Sequence, residues 1–142
     1  MTTSDRAKDT KQSWGRINVI KDGKELFTTN DVYYYPHGKV KFITGNVGTK
    51  NNVALCVPAH LVDGPHTVKY PEDFDALPVY LTWAVEVDNN HRTIEKGTLT
   101  VTFGPNGDSA DGSYKVTSKG TNEEFSGEFK LINTRKTAPL QD

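Results

Sequence analysis

A thiol, two imidazoles and a carboxylate lie close together in the segment CVPAHLVDGPH, which spans residues 56–66. A cysteine nucleophile requires these residue types: the thiolate, a base that activates it and a third group that orients the base. The spacing of Cys56, His60, Asp63 and His66 matches no catalytic signature, and Cys56 lies in an apolar run where a cysteine is usually an inert small side chain. We therefore predict a structural thiol and keep a small Cys/His-dependent hydrolase or isomerase as an alternative.

The same segment contains the ligand types of a zinc or non-haem iron site. His60 and His66 flank a Gly-Pro turn, so no regular element fixes one imidazole relative to the other. His37 and His91 fall in other predicted turns, where histidine is commonly solvated. We accordingly expect neither a metal site nor a cofactor.

Two further groups of oxygen-bearing side chains are predicted to be ordinary surface. Asn106, Asp108 and Asp111 resemble part of a calcium loop, but the loop of an EF-hand spaces its oxygens differently and lies between helices. The acidic runs 72–75 and 123–124 lie in predicted loops, where nothing isolates a carboxyl group in an apolar pocket that would raise its pKa.

Aromatic side chains give the strongest indication of function. Tyr33, Tyr34 and Tyr35 are consecutive, so in a strand at least one ring must point away from the core. Exposed rings on a rigid sheet offer a large contact area to a sugar, an apolar ligand or a protein partner. We predict a ligand-binding set of Tyr33, Tyr34, Tyr35, Tyr80 and Trp14. The alternative is that the second side of the tyrosine strand packs under a loop.

The elements that position these residues are predicted to be strands. Segment 79–88 alternates apolar and more polar residues, which places one side on the core. Three later segments repeat the pattern, with these residues inward: Leu99, Val101, Phe103, Tyr114, Val116, Phe125, Phe129 and Leu131. The connections 88–92, 104–112 and 119–123 are too short for a parallel crossover, so the C-terminal half is predicted to be a four-stranded meander. Gly127 falls among the inward residues and indicates a bend or a close backbone approach.

The N-terminal half is predicted to contain further hairpins. Asp22-Gly23 separates two strand-like runs and favours a type I′ turn. A second turn is predicted at Pro36-His37-Gly38, between strands at 32–35 and 39–44. The continuous apolar run 53–57 indicates a strand that is buried on both sides, and 67–70 forms another short strand.

About eight to ten strands are too many for one open sheet of a domain this size, so the sheet must close or fold over. We predict a single all-β antiparallel domain at 14–133, either a meander barrel or a two-sheet sandwich, with flexible tails at 1–13 and 134–142. The strand count and hairpin order resemble the small eight-stranded meander barrels of the calycin family.

Composition limits the possible partners. The net charge of −1 over 142 residues provides no positive surface for nucleic acid. There is no apolar run of membrane-spanning length and no signal-peptide pattern, so we expect no membrane partner and a cytoplasmic location. The leading hypothesis is a non-enzymatic β module that binds a small ligand or a protein partner through an aromatic-bearing face or a barrel mouth. A structural protein that forms homo-oligomers through an edge strand is a further alternative.

Overall fold

Strands dominate the computed structural model of the chain, which describes residues 13–74 and 82–133. The ten strands in these ranges are β1 Ser13–Lys21, β2 Lys24–Thr29, β3 Val32–His37, β4 Val40–Val47, β5 Asn51–Pro58, β6 Gly64–Tyr70, β7 Ala84–Val87, β8 Asn90–Phe103, β9 Ser109–Ser118 and β10 Glu124–Asn133. A short 3₁₀ turn covers Pro105–Gly107. The predicted all-β class and strand number are confirmed.

The predicted tails fall almost entirely outside the described residues. Ser13, which the sequence assigned to the N-terminal tail, is the first residue of β1 and is buried. Residues 1–12, 75–81 and 134–142 lie outside the described ranges. Within those ranges, no helix has the length and apolar character needed to cross a membrane.

All strand pairs are antiparallel, and nine of the ten strands form one path in the order β2-β1-β10-β9-β8-β7-β5-β4-β3. The predicted C-terminal meander of β7 to β10 is confirmed. The long strand β8 connects the two parts of the sheet, because residues 90–93 pair with β7 whereas residues 97–103 pair with β6 on the same edge. Strand β6 therefore pairs with β8 beside the main path.

The sheet folds over on itself but does not close into a barrel, which agrees with the predicted sandwich and not with the predicted barrel. Its two end strands, β2 and β3, are not paired with each other. Instead, side chains of β1 and β10 reach the free edge of β3. The hydroxyl of Ser13 lies 2.8 Å from the nitrogen of Tyr34, and the amide of Asn133 donates to the carbonyl oxygen of Tyr34 at 2.6 Å.

The alternation of apolar and polar residues correctly predicts which side chains are buried in β8, β9 and β10. The inward residues predicted for β8, β9 and β10 are all buried, as are Ile17 and Val19 of β1 and Ile43 of β4. Each fully buried side chain of this size contributes about 2 kcal/mol of hydrophobic free energy. Gly127 lies among them as predicted: a methyl group there would meet the carbonyl oxygen of Asn18 at 2.1 Å, so the close backbone approach requires glycine.

Two hairpins have the two-residue turns that their residue types favour. Asp22 and Gly23 have φ values of 54° and 77°, and Asp88 and Asn89 have 52° and 68°, as a type I′ turn requires. The turn predicted at Pro36-His37-Gly38 overlaps the observed one only at Gly38, because β3 continues to His37 and the turn falls at residues 38–39. Proline is tolerated in β3 because its missing N–H would point to the free edge of the sheet. The backbone N–H of Tyr34, two residues earlier, points to the same edge.

Two other predicted boundaries also differ. The loop predicted at 104–112 ends four residues earlier, since β9 begins at Ser109. The strand predicted at 79–88 is described only from Ala84 to Val87. Trp83 directly precedes this strand, and its fully buried indole stacks on Tyr70 with ring centroids 4.5 Å apart.

Candidate functional site

The three consecutive tyrosines divide between the inside and the outside of the sheet. Tyr34 is 1% exposed and faces the core, whereas Tyr33 is 38% exposed and Tyr35 is half-buried on the opposite side. This is the outcome that strand alternation requires. The predicted set therefore contains two different kinds of residue: Tyr34 belongs to the core, and its two neighbours belong to the outer surface.

Tyr34 connects several elements at one end of the sandwich. Its hydroxyl donates to the carbonyl oxygen of Gly107 at 2.6 Å. The carboxylate of Asp63 in turn accepts the N–H groups of Asn106 and Gly107, at 2.9 and 3.0 Å. Burial, followed by the nearby charges of Asp108 and Asp63, raises the pKa of the Tyr34 phenol. Asp63, which the sequence offered as a catalytic or metal-binding carboxylate, thus holds the 104–108 loop against Tyr34.

Four rings gather on the outer side of the β3–β4 hairpin, and we call this set the aromatic face: Tyr33, Tyr35, His37 and Phe42. Tyr35 lies directly opposite Phe42 in the ladder, with ring centroids 5.4 Å apart. His37 approaches the same phenylalanine at 5.3 Å. The sequence had assigned His37 to a turn and had not singled out Phe42. The signal that would have found both is the hairpin register, which pairs Tyr35 with Phe42 once the turn is placed at residues 38–39.

The two other predicted binding residues lie elsewhere. Trp14 is 51% exposed on the outer side of β1, directly opposite Ile132 of β10, which is 46% exposed. Both belong to the other half of the sheet from the β3–β4 hairpin. Tyr80 lies outside the described residues.

The predicted structural role of Cys56 agrees with its surroundings. Its side chain is fully buried, and burial raises the pKa of the thiol to about 11, with the neighbouring Trp83 indole acting in the opposite direction. A nucleophilic cysteine needs the reverse, a pKa lowered by a nearby base or positive charge. His66, one of the two candidate bases, contacts the backbone oxygen of Val62 through Nε2 at 2.6 Å.

A charged cluster, of which the sequence singled out only the carboxylate of Glu123, joins three strand ends. Glu123 accepts hydrogen bonds from Arg92 and from Lys21, the latter at 2.6 Å. These two bonds, first that of Arg92 and then that of Lys21, lower the pKa of Glu123 to about 2. The cluster fixes the β9–β10 turn against β1 and β8, so Glu123 is a structural residue rather than the solvated carboxylate that the sequence predicted.

The free edge of β6 is largely blocked against pairing with another strand. Pro65 has no N–H to offer, and the N–H of Lys69 is taken by the carboxylate of Asp73 at 2.7 Å. The N–H of Asp73 returns to the carbonyl oxygen of Lys69 at 2.9 Å. Such features reduce edge-to-edge association in natural sheets.

Grooves and cavities in the described part of the protein are shallow or small. A groove of about 430 Å³ lies between Arg16, Asp111 and Lys130 on the outer side of β1, β9 and β10. A cavity of about 90 Å³ lies beside Tyr34 and Tyr35, well below the volume of a typical small-molecule pocket. No group of three or more His, Cys, Asp or Glu side chains among residues 13–74 and 82–133 is arranged to hold a metal ion.

Comparison of the chain with protein-family models, with curated proteins and with solved structures finds no match. The function is therefore inferred from the geometry of the surface.

Proposed function

We propose that the protein is a non-enzymatic β module that binds a small ligand or a protein partner through the aromatic face. The observation that carries the proposal is that the rings of Tyr35 and His37 both lie within 5.4 Å of the Phe42 ring on the outer side of one hairpin, the side on which Tyr33 is exposed. Phe42 is half-buried and packs against the core, whereas Tyr33 and His37 are exposed. The exposed rings provide binding area on a base that the core supports.

The backbone under the aromatic face is held from both edges. One edge of β3 pairs with β4 from Val32 to His37, and the other is bonded at Tyr34 by the side chains of Ser13 and Asn133. A rigid strand presents its side chains with little loss of entropy on binding. Tyr33 and Tyr35 therefore flank Tyr34, whose backbone is held by the side chains of Ser13 and Asn133.

The alternative enzyme, a hydrolase or isomerase that uses Cys56, has less support, because burial raises the pKa of the thiol to about 11. Self-assembly through β6 is also less well supported, because its free edge is blocked. The outer edge of the end strand β2 is the edge through which self-assembly stays an alternative. A cytoplasmic location and the absence of nucleic-acid and membrane partners stay predictions from composition.

A comparative binding screen tests the proposal. Wild type, the double variant Tyr33→Ser/Tyr35→Ser and the control Trp14→Ser are applied to one array of saccharides, nucleotides, lipids and peptides. Trp14 is a matched control because it is also an exposed aromatic side chain, but on the other half of the sheet. Thermal unfolding of each variant establishes that it remains folded.

We expect a ligand that wild type and Trp14→Ser retain and that the double variant loses. If the double variant still binds the ligand and Trp14→Ser does not, the binding site lies on the outer side of β1 and β10 instead. Equal binding by all three proteins would contradict the proposal.

A further inference from the structure

The surface next to the aromatic face carries no Lys or Arg at its outward positions. These positions are Asp31, just before β3 and beside Asn46, and Thr44, Asn46, Asn52, Ala54 and Glu86 on β4, β5 and β7. Asp31 and Glu86 are the two charged side chains of this set, and Glu86 lies 3.5 Å from Nδ1 of His91. The surface therefore offers rings, hydroxyls and amides with a carboxylate at either side.

The outer side of the other half of the sheet, by contrast, carries many charged side chains. Its outward positions on β1, β9 and β10 include Arg16, Asp111, Lys115, Glu124, Glu128 and Lys130. Both signs of charge occur there, so the absence of Lys and Arg beside the aromatic face is a local property and not a consequence of the near-neutral chain.

The register arranges these side chains in rows. Tyr33 lies directly opposite Thr44, which lies opposite Ala54. Asn46 and Asn52 are opposite each other and, with Asp31 at one end and Glu86 at the other, form the next row, about 7 Å further along the strands, since outward residues on one strand are two positions apart. An extended ligand lying along the hairpin would meet the rings first and the two amides next.

We infer that the ligand of the aromatic face is a neutral oligosaccharide chain; this inference rests on the function proposed above. A pyranose has an apolar C–H side that packs against an aromatic ring, and its hydroxyls both donate and accept hydrogen bonds. A side-chain amide also does both, which makes Asn46 and Asn52 suitable partners for hydroxyl groups. A neutral sugar brings no charge that would have to be matched.

Other classes of partner fit this surface less well. A phosphate or carboxylate ligand is normally held by Arg or Lys, and the six outward positions beside the aromatic face contain neither. A protein interface usually has a continuous apolar centre with buried anchors, whereas here the rings give way to Thr44, Asn46 and Asn52 within two rows.

Affinity gel electrophoresis tests the inference with defined probes: soluble starch, xylan and mixed-linkage β-glucan as neutral chains, and polygalacturonate as an acidic one. The variants are Tyr33→Ser/Tyr35→Ser, Asn46→Ala/Asn52→Ala and the control Trp14→Ser. The mobility of each variant without polysaccharide and its thermal unfolding establish that it is folded.

We expect at least one neutral chain to retard wild type and Trp14→Ser equally. The tyrosine double variant should bind about tenfold more weakly, and the asparagine double variant about fivefold, as the loss of stacking and of hydrogen bonds implies. Because no ion pair is involved, the affinity should change less than about twofold between about 0.05 M and 0.5 M NaCl.

Two results would overturn the inference. One is the absence of retardation by every neutral chain. The other is retardation by polygalacturonate alone with a steep dependence on salt. Neither result removes the proposed function if the array screen still returns a ligand that depends on Tyr33 and Tyr35. If that screen also finds no such ligand, both proposals fail.

Discussion

The side chain of Ser13 satisfies both backbone groups of Tyr34 at the free edge of β3. Its hydroxyl accepts the N–H of Tyr34 at 2.8 Å and donates to the carbonyl oxygen of the same residue at 3.0 Å. A neighbouring strand would normally provide this pair of bonds. One serine thus takes the place of a strand pairing at the point where the sheet folds over without closing.

Replacing Ser13 by alanine should lower the free energy of unfolding by about 1–3 kcal/mol, because the buried N–H of Tyr34 would be left without its partner. Urea denaturation measures the change. Ser113→Ala is the matched control: this serine is exposed on β9 and its loss should cost less than about 0.5 kcal/mol. Equal effects of the two substitutions would show that the contact with Ser13 contributes nothing.

Gly127→Ala should destabilise the protein by about 3 kcal/mol or more, since a backbone clash cannot be relieved by rotating a side chain. The added methyl group would meet the carbonyl oxygen of Asn18 at 2.1 Å and the hydroxyl of Tyr114 at 2.7 Å. Tyr114→Phe, which removes the hydroxyl bonded to Asn18 at 2.7 Å, should cost only about 1 kcal/mol. Thermal unfolding compares them; an alanine variant as stable as wild type would contradict this packing.

The ion cluster of Glu123 should make stability depend on pH in the acidic range. Arg92 and Lys21 lower the pKa of Glu123 from 4.5 to about 2 in the folded protein. The resulting stabilisation is fully present above pH 4.5 and is lost as the pH falls towards 2, because the carboxylate must be protonated. Glu123→Gln should cost about 1 kcal/mol at pH 7 and almost nothing near pH 2. Urea denaturation at a series of pH values measures this difference.

Glu124→Gln is the control for that experiment. Glu124 is the next residue along the chain, but its side chain is exposed and lies 3.8 Å from Lys115. It should leave the pH dependence of wild type unchanged. A constant difference between wild type and Glu123→Gln from pH 7 to pH 2 would show that the cluster has no role in acid stability.

Cys56 should react with a thiol reagent only when the protein opens. Its side chain is fully buried and burial raises its pKa to about 11. Alkylation in native buffer should therefore be slow and should accelerate in parallel with unfolding as urea is added. Rapid labelling of the folded protein would restore the catalytic alternative. Cys56→Ala should retain any ligand that depends on Tyr33.

Alternation was sufficient to predict the C-terminal half of the fold, because each residue between Leu99 and Leu131 that was predicted to face inward is buried. The same rule predicted that Tyr33 and Tyr35 would lie on the side opposite Tyr34, although not which side would be outward. Local turn chemistry predicted Asp22-Gly23, where positive φ at two positions leaves few alternatives.

What the sequence did not provide were the contacts that depend on distant parts of the chain. The bond between Ser13 and Tyr34 joins residues 21 positions apart, and the bond between Lys21 and Glu123 joins residues 102 apart. No local pattern encodes either one. The error at Pro36 has a related cause, since proline is normally a turn residue and is tolerated in β3 only because that strand lies at an edge.

The most direct test of the binding site is an NMR titration of ¹⁵N-labelled wild type with cellohexaose, maltohexaose and xylohexaose. If the aromatic face binds one of them, the largest amide shifts should fall at Tyr33, Tyr35, Phe42 and Thr44. The amides around Arg16 and Lys130 on the charged side should not move. Shifts centred on Arg16 and Lys130, or none with any of the three sugars, would contradict the assignment of a saccharide site to the β3–β4 hairpin.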